Sequence, residues 1–251
     1  MSGRHVVAIP VFNEEAHLGR VLASVRRFTR DILVIDDGST DGTPEILSQE
    51  SHVEIITHLE NRGYGKSLAD AFCFARRRHF DWLITMDCDE QHEPEQIPCF
   101  LAAAAQDDAD IISGTRYPEG YDVESTAPPD RREINRQVTA LLNRTLGLKI
   151  TDAFCGFKAH RVSALRSICI TVPGYAMPMQ FWVQAARAGL RIRELPVRLI
   201  YNDPSRHFGG ILDDPAIRLQ HYLEVFHTEL AATKPARNVP HPEREECSRG
   251  I

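Results

Sequence analysis

The stretch Leu83 to Glu95, reading Leu-Ile-Thr-Met-Asp-Cys-Asp-Glu-Gln-His-Glu-Pro-Glu, holds the residues of this chain best suited to chemistry. Trp82 to Met86 is an apolar run of strand length, and it leads to two carboxylates, Asp87 and Asp89, ahead of a helix started by Pro94. If the chain stays extended past Met86, alternate side chains share a side, so Asp87, Asp89 and Gln91 converge as three oxygen ligands. Hard cations such as Mg²⁺ or Mn²⁺ take such ligands and keep positions for water and phosphate oxygens. Alone, the run reads equally as a solvated turn, because a single D-x-D is a weak motif. His92 reads as a loop histidine rather than a further ligand.

The elements that must hold this turn repeat one pattern. His5–Ile9 is an apolar strand followed by the turn Pro10–Glu15 and a helix to about Phe28, with Leu18, Val21, Leu22 and Val25 inward at i, i+3, i+4, i+7. Asp31–Ile35 is a second strand, ending in Asp36-Asp37-Gly38-Ser39, after which Thr43 caps a helix with Pro44 at its first position. Val53–Thr57 leads through Glu60 to Lys66 into a helix to about His79; a helix over Pro94–Gln106 and a strand over Asp110–Ser113 end the series at Gly114-Thr115-Arg116-Tyr117. Strands alternating with helices predict an α/β fold with a Rossmann-like, mainly parallel sheet flanked by helices. In such sheets ligands sit beyond the carboxyl ends of the strands, where Asn13-Glu14, Asp36-Asp37, Asn61-Arg62, Asp87-Asp89-Gln91 and Thr115-Arg116 all fall.

The second half is less regular. Pro118–Asp130 reads as a long loop of the kind that serves as an active-site lid. A helix over Pro129–Leu146, a turn at Thr151–Lys158 entering a short strand, a helix over Met177–Ala188 and a strand over Ile192–Ile200 follow. A Gly-rich basic loop, Asn202–Gly210, precedes a last amphipathic helix from Pro215 to about Leu230. Residues 1–230 form a single domain in this reading, and residues 231–251 a disordered tail.

Composition sets limits. With 251 residues, 43% apolar and 25% charged, a full hydrophobic core is expected. A net charge of −6 argues against a nucleic-acid binder that relies on a general basic surface. No apolar run approaches 18 residues and no signal-peptide core precedes Val6, so the expectation is a cytoplasmic protein whose membrane contact is peripheral. Six cysteines without C-x-x-C spacing fit a reducing compartment.

Each remaining cluster has a bland reading beside the chemical one. Asp36-Asp37-Gly38-Ser39 offers carboxylates to a nucleobase N–H or ribose hydroxyl, or is a plain Asx turn. Gly65-Lys66-Ser67 fails as a P-loop because Glu60 stands where glycine is required, leaving Lys66 and Arg62 as phosphate contacts or solvated cations. Arg116, Arg131, Arg132 and Arg206 form an anion site only if they converge. Cys155 lies among Phe154, Gly156 and Phe157 and is read as structural.

Pro10-Val11-Phe12-Asn13-Glu14-Glu15, Asp36-Asp37-Gly38-Ser39, Met86 to Glu95, Gly114-Thr115-Arg116-Tyr117 and Asp152-Ala153-Phe154-Cys155-Gly156-Phe157-Lys158 occur in the order seen in inverting family-two glycosyltransferases of GT-A fold. The chain resembles most the dolichol-phosphate mannosyltransferase-like subgroup and its polyprenyl-phosphate relatives, over about Val6 to Gly210. The resemblance implies a nucleotide-sugar-binding half, residues 1–117, with Pro10, Phe12, Asn13, Glu14, Asp37, Lys66 and Cys88 on the donor side and Asp87, Asp89 and Gln91 holding Mg²⁺ or Mn²⁺ on the diphosphate. It implies an acceptor half, residues 118–230, with Arg116, Arg131 and Arg206 around phosphates and Asn135 where the family has serine. Phe12 stands for the usual Tyr, Cys88 and Glu90 are unusual between the ligands, and Ile211-Leu212 replaces Ser-Lys after the R-x-x-G.

The implied reaction moves mannose or glucose from GDP-mannose or UDP-glucose to a polyprenyl phosphate; Asp37 and Phe12 suit either base. A phosphate acceptor needs positioning more than a base, whereas a hydroxyl acceptor needs a carboxylate, for which Asp152 is the candidate. The rival readings are transfer to a sugar, small-molecule or protein hydroxyl, a catalytically idle nucleotide-sugar-binding scaffold, and a nucleotidyltransferase, which would want a Gly-rich basic signature where Val11-Phe12-Asn13-Glu14-Glu15 stands.

Overall fold

In strand β1 (His5–Val11), alternation sends Val6 and Ala8 to one face of the sheet and Val7, Ile9 and Val11 to the other, and all five are buried in the computed structural model, which describes residues 3–118, 127–198, 200 and 209–232. A strand buried on both faces needs helices on both. Strands β2 (Ile32–Asp36), β3 (Glu54–Thr57), β4 (Trp82–Thr85), β5 (Ile111–Thr115), β6 (Lys158–Arg161) and β7 (Ile192–Pro196) complete one mixed sheet in the order β3-β2-β1-β4-β6-β5-β7. β3, β2, β1 and β4 are parallel; β6 is antiparallel to β4 and β5, and β7 is parallel to β5. The result is a single α/β domain, mainly parallel, as the alternation of elements predicts.

Helices α3 (Tyr64–Arg77), α5 (Pro129–Leu146), α6 (Met177–Arg187) and α7 (Pro215–Ala231) cover one face, where Leu68, Phe72, Val138, Phe181, Trp182 and Phe226 share a core with Val6, Ala8, Leu33 and Leu83. Helices α1 (Leu18–Val25), α2 (Thr43–Ser48) and α4 (Ile97–Ala104) cover the other, where Leu18, Leu22, Leu47, Ile97 and Phe100 share a core with Val7, Ile9, Val34 and Ile84. Each such large side chain contributes about 1.5–3 kcal/mol on leaving water.

Three local readings are corrected. The helix expected from Pro94 begins as a single 3₁₀ turn, Pro94–Gln96, because Pro98 has no N–H to donate back to residue 94. Thr43 does not cap α2: its hydroxyl accepts from the Glu14 N–H at 2.9 Å, and Asp41 accepts from the Thr43 N–H instead. β7 stops at Pro196, short of Ile200, because its partner β5 ends at Thr115, whose carbonyl takes the last bond from the Val197 N–H at 2.9 Å. Most of the expected lid (119–126), most of the Gly-rich basic loop (201–208) and the tail beyond Ala232 lie outside the described residues. The chain leaves β1 toward β2 on one side while β4 pairs on the other, so a crevice opens at the carboxyl ends of β1 and β4.

Candidate active site

That crevice is a cavity of about 780 Å³. On one side of it β1 supplies Pro10, and the turn after β1 supplies Phe12, Asn13 and Glu14. Asn13 sits at φ 56°, a left-handed conformation that asparagine tolerates. Its side-chain oxygen accepts from the Thr40 N–H at 2.8 Å and its own N–H donates to Ser39 Oγ at 3.0 Å, so the turns after β1 and β2 are joined. Phe12, 43% exposed, leaves an aromatic face open for stacking.

The two carboxylates after β2 divide their work. Asp36 accepts from the Ser39 N–H at 3.0 Å and closes the Asx turn. Asp37 lines the cavity and accepts from the N–H groups of Arg62 at 2.8 Å and Gly63 at 2.7 Å, and from His58 Nδ1 at 2.5 Å. Gly63 takes φ 93° at the entry to α3, which suits glycine. Lys66 does not line the cavity; its ammonium is turned to Asp70 at 2.6 Å, one turn along α3, where an i, i+4 partner outcompetes the cleft.

Asp87, Asp89 and Gln91 all reach the cavity, but not by the alternation of an extended chain. β4 ends at Thr85, Cys88 turns into the core at 2% exposure while still touching the cleft, and Glu90 is left-handed at φ 58°. Asp89 accepts from the Gln91 N–H at 3.1 Å, so a tight turn and not an extended strand presents the three side chains to the cavity. Glu90, held down to about 2 by Arg20 and then by His17, ties that turn to α1. Asp87 accepts from Tyr64 Oη at 3.1 Å, and its N–H donates to the buried His92 at 3.0 Å, so His92 orients the turn. Gly156 lies under Asp87: a Cβ there would stand 2.5 Å from Asp87 Oδ2.

Two carboxylates and one amide oxygen are a sparse ligand set. Among the described residues no three His, Cys, Asp or Glu side chains group into a metal cage. Few protein oxygens facing a large cavity fit a hard divalent cation that keeps waters and substrate phosphates.

The opposite wall is basic. Arg116, Arg131 and Arg218 line it, together with Asn135, Phe154 and Tyr222. Arg116, just past β5, binds Asp152 through Nε at 2.6 Å and Nη2 at 2.9 Å, a bidentate pair. Burial works against the guanidinium's charge, but the Asp152 carboxylate outweighs it and raises the pKa further. Asp152 also accepts from Asn135 Nδ2 at 2.9 Å and from the N–H groups of Phe154 and Cys155, both at 3.1 Å. Burial would raise its pKa; the adjacent Arg116 outweighs that and holds the carboxyl well below the usual carboxylate range.

Asp152 therefore does not fit the role of general base: it is fully buried, lines no part of the cavity and is committed to holding Arg116. Asn135 belongs to the same network, its oxygen accepting from Thr139 Oγ1 and the Ala153 N–H. Arg206 lies outside the described residues. Cys155 is fully buried in the core, as its apolar surroundings predict.

Sequence reasoning missed Tyr64, Tyr175, Arg218 and Tyr222. Tyr64 and Tyr175 stack with centroids 5.9 Å apart beside Asp87. Arg218, only 3% exposed, donates to Asp130 at 2.6 Å and to the Leu212 carbonyl at 2.9 Å, sewing α7 to the start of α5. The available signal was a basic residue within the buried i, i+4, i+8 stripe Arg218, Tyr222, Phe226; tyrosines 111 residues apart in sequence gave none.

The glycosyl transferase family 2 model matches residues 6–169. The chain is 30% identical over 227 residues to undecaprenyl-phosphate mannosyltransferase of Micrococcus luteus, covering 86% of this chain and 92% of that protein. It is 28% identical to polyprenol monophosphomannose synthase of Mycolicibacterium smegmatis, over 77% and 76% of the two chains. Among solved structures, glucosyl-3-phosphoglycerate synthase of Mycobacterium tuberculosis, in complex with Mn²⁺, UDP and glucosyl-3-phosphoglycerate, superposes with TM-score 0.70 at 19% identity, over 94% of this chain and 82% of that one; it shares the GT-A fold. Matched by the family model over most of its sheet and by these relatives over most of their own length, the chain belongs to glycosyl transferase family 2 and is a glycosyltransferase.

Proposed function

We propose that the enzyme transfers a hexose, mannose or glucose, with inversion from a nucleotide-diphospho-sugar to a polyprenyl phosphate. One observation carries the choice of acceptor. Among the described residues lining the cavity, the carboxylates Glu14, Asp37, Asp87 and Asp89 all stand on the donor side, whereas the opposite wall carries Arg116, Arg131 and Arg218 and no carboxylate. A hydroxyl acceptor needs a base on its side of the anomeric carbon, and the residue expected to supply it is sealed under Arg116. A phosphate monoester is already an anion at neutral pH and needs cationic, bidentate positioning, which arginine provides.

The donor lies with its base against Phe12 and the Asp37 turn and its diphosphate toward Asp87, Asp89 and Gln91. A divalent cation held by those three residues neutralises the charge gathering on the departing nucleoside diphosphate. Arg116, fixed by Asp152 and Asn135, and Arg131 orient the acceptor phosphate for attack from the face opposite the leaving group. Residues 1–117, apart from Arg116, act as the donor half, and 118–230 together with Arg116 as the acceptor half. The names of the two polyprenyl-phosphate relatives support this reading. No helix among the described residues is long and apolar enough to cross a membrane.

The test is release of nucleoside diphosphate from GDP-mannose and UDP-glucose, with Mg²⁺ or Mn²⁺, with and without a polyprenyl phosphate. Release that needs both the lipid phosphate and the metal supports the proposal; release independent of the lipid refutes the acceptor.

A further inference from the structure

His58, just past β3, is a buried histidine with both ring nitrogens engaged by carboxylates from different elements. Nδ1 meets Asp37 at 2.5 Å and Nε2 meets Asp70 of α3 at 2.8 Å; the backbone N–H donates to the Asp36 carbonyl at 2.8 Å. Behind Asp70 stands Lys66 at 2.6 Å. The residue is 8% exposed and does not line the cavity.

An imidazole can serve two carboxylates at once only when both nitrogens carry protons, that is, as the cation. The hydrogen bonds from Asp37 and then Asp70 raise its pKa to about 9, against desolvation.

The consequence falls on Asp37. A carboxylate offers about four lone-pair sites. Arg62 N–H and His58 Nδ1 take two on Oδ1, and Gly63 N–H takes one on Oδ2. Oδ2, with one donor against two on Oδ1, is the less committed oxygen and the one left for a ligand in the cavity, and the same bonds fix the 61–63 turn, whose Asn61 and Gly63 also line the cavity.

We infer that His58 is a positioning residue for the nucleotide end of the donor: its bond to Asp37 holds that side chain oriented so that Oδ2 accepts one N–H or O–H from the nucleoside. This rests on the nucleotide-sugar reading of the cavity. His58 touches no reacting atom, so it acts on nucleotide affinity and not on turnover at saturation. The charged groups set against the ring are Asp37 after β2 and Asp70 on α3, with Lys66 behind. Because the folded pKa is raised from 6.5, the contribution is complete below about pH 6.5 and is lost as pH rises through about 9.

The side-chain amides separate the two bonds: His58→Asn keeps a donor near Nδ1 toward Asp37, and His58→Gln keeps one near Nε2 toward Asp70. Calorimetric titration of the intact protein with UDP and with GDP, in Mg²⁺, is compared with turnover and melting temperature. The expected result is a dissociation constant about tenfold higher in His58→Gln and about threefold higher in His58→Asn, with kcat within twofold of wild type. The variant-to-wild-type ratio, in which the nucleobase's own titration cancels, falls toward one above pH 9. Asp70→Asn, which leaves the Asp37 contact in place, raises the dissociation constant about threefold and keeps the test alive if the His58 variants fail to fold. Dissociation constants within twofold of wild type in all the folded variants, or a fall in kcat with affinity unchanged, overturns the inference. A wild-type protein that binds neither nucleotide overturns the donor reading itself, and that is read from the wild-type arm alone.

Discussion

Replacing Asp152 by asparagine separates a clamp from a base. Oδ1 receives four donors, from Arg116 Nη2, Asn135 Nδ2 and the N–H groups of Phe154 and Cys155, so the amide oxygen of an asparagine belongs there. Its NH₂ then faces the two donors now on Oδ2, the Arg116 N–H at 3.1 Å and Nε at 2.6 Å. Those two bonds are part of the buried guanidinium's pairing with its carboxylate, and breaking such a buried pair costs about 3–5 kcal/mol. The Arg116 side chain is 21% exposed and can turn toward water in the cavity, which favours the lower end, about 3 kcal/mol. At about 2–4 °C per kcal/mol for a chain of this size, the melting temperature falls by about 6–12 °C.

The sign with pH follows from the depressed pKa: the Asp152 contribution is present above the ordinary value of 3.8 and is lost as pH falls through the lower folded value. The variant's deficit is therefore full at pH 7 and shrinks only in strong acid. Differential scanning calorimetry from pH 3 to 8, paired with turnover at varied acceptor, reads both effects; the acceptor KM rises because Arg116 is no longer fixed. A melting temperature within about 2 °C of wild type, with kcat abolished and the acidic limb of the pH profile removed, would refute the clamp and restore Asp152 as a base.

Three further perturbations bear on the site. Asp89→Asn abolishes turnover while melting within about 2 °C of wild type, since it removes a ligand from a cavity wall and not from the core; retained turnover in excess chelator would remove the metal role. Gly156→Ala places a Cβ 2.5 Å from Asp87 Oδ2 and pushes the carboxylate off Tyr64, so the metal concentration for half-maximal activity rises at least tenfold; unchanged metal dependence contradicts the packing. Arg131→Ala raises the acceptor KM at least tenfold and the donor KM less than threefold, and equal effects on both would contradict its place on the basic wall.

The fold was legible where periodicity was strong. Leu18, Val21, Leu22 and Val25 define α1, and the polar turns after β1, β2, β4 and β5 mark the carboxyl ends that build the cleft. What the sequence hid has physical causes. Convergence of Asp87, Asp89 and Gln91 depends on a left-handed Glu90 and a buried Cys88, a turn geometry that no alternation rule encodes. Lys66 left the site because Asp70 sits one turn away, and Asp152 left it because folding sets Arg116 beside a residue 36 positions on. His58 carries no local signature and Arg218 only that of a basic residue in the buried stripe of α7; each acquires its role from carboxylates brought close only by the tertiary fold.

The central claim is that the basic wall binds a phosphate acceptor that needs no protein base. It is tested most directly by offering, with donor and metal fixed, a polyprenyl phosphate and the matching free polyprenol, and measuring release of nucleoside diphosphate. The expected result is turnover with the phosphate and none above background with the alcohol. Comparable turnover with the alcohol would contradict it and require a base that the arginine-lined wall does not supply.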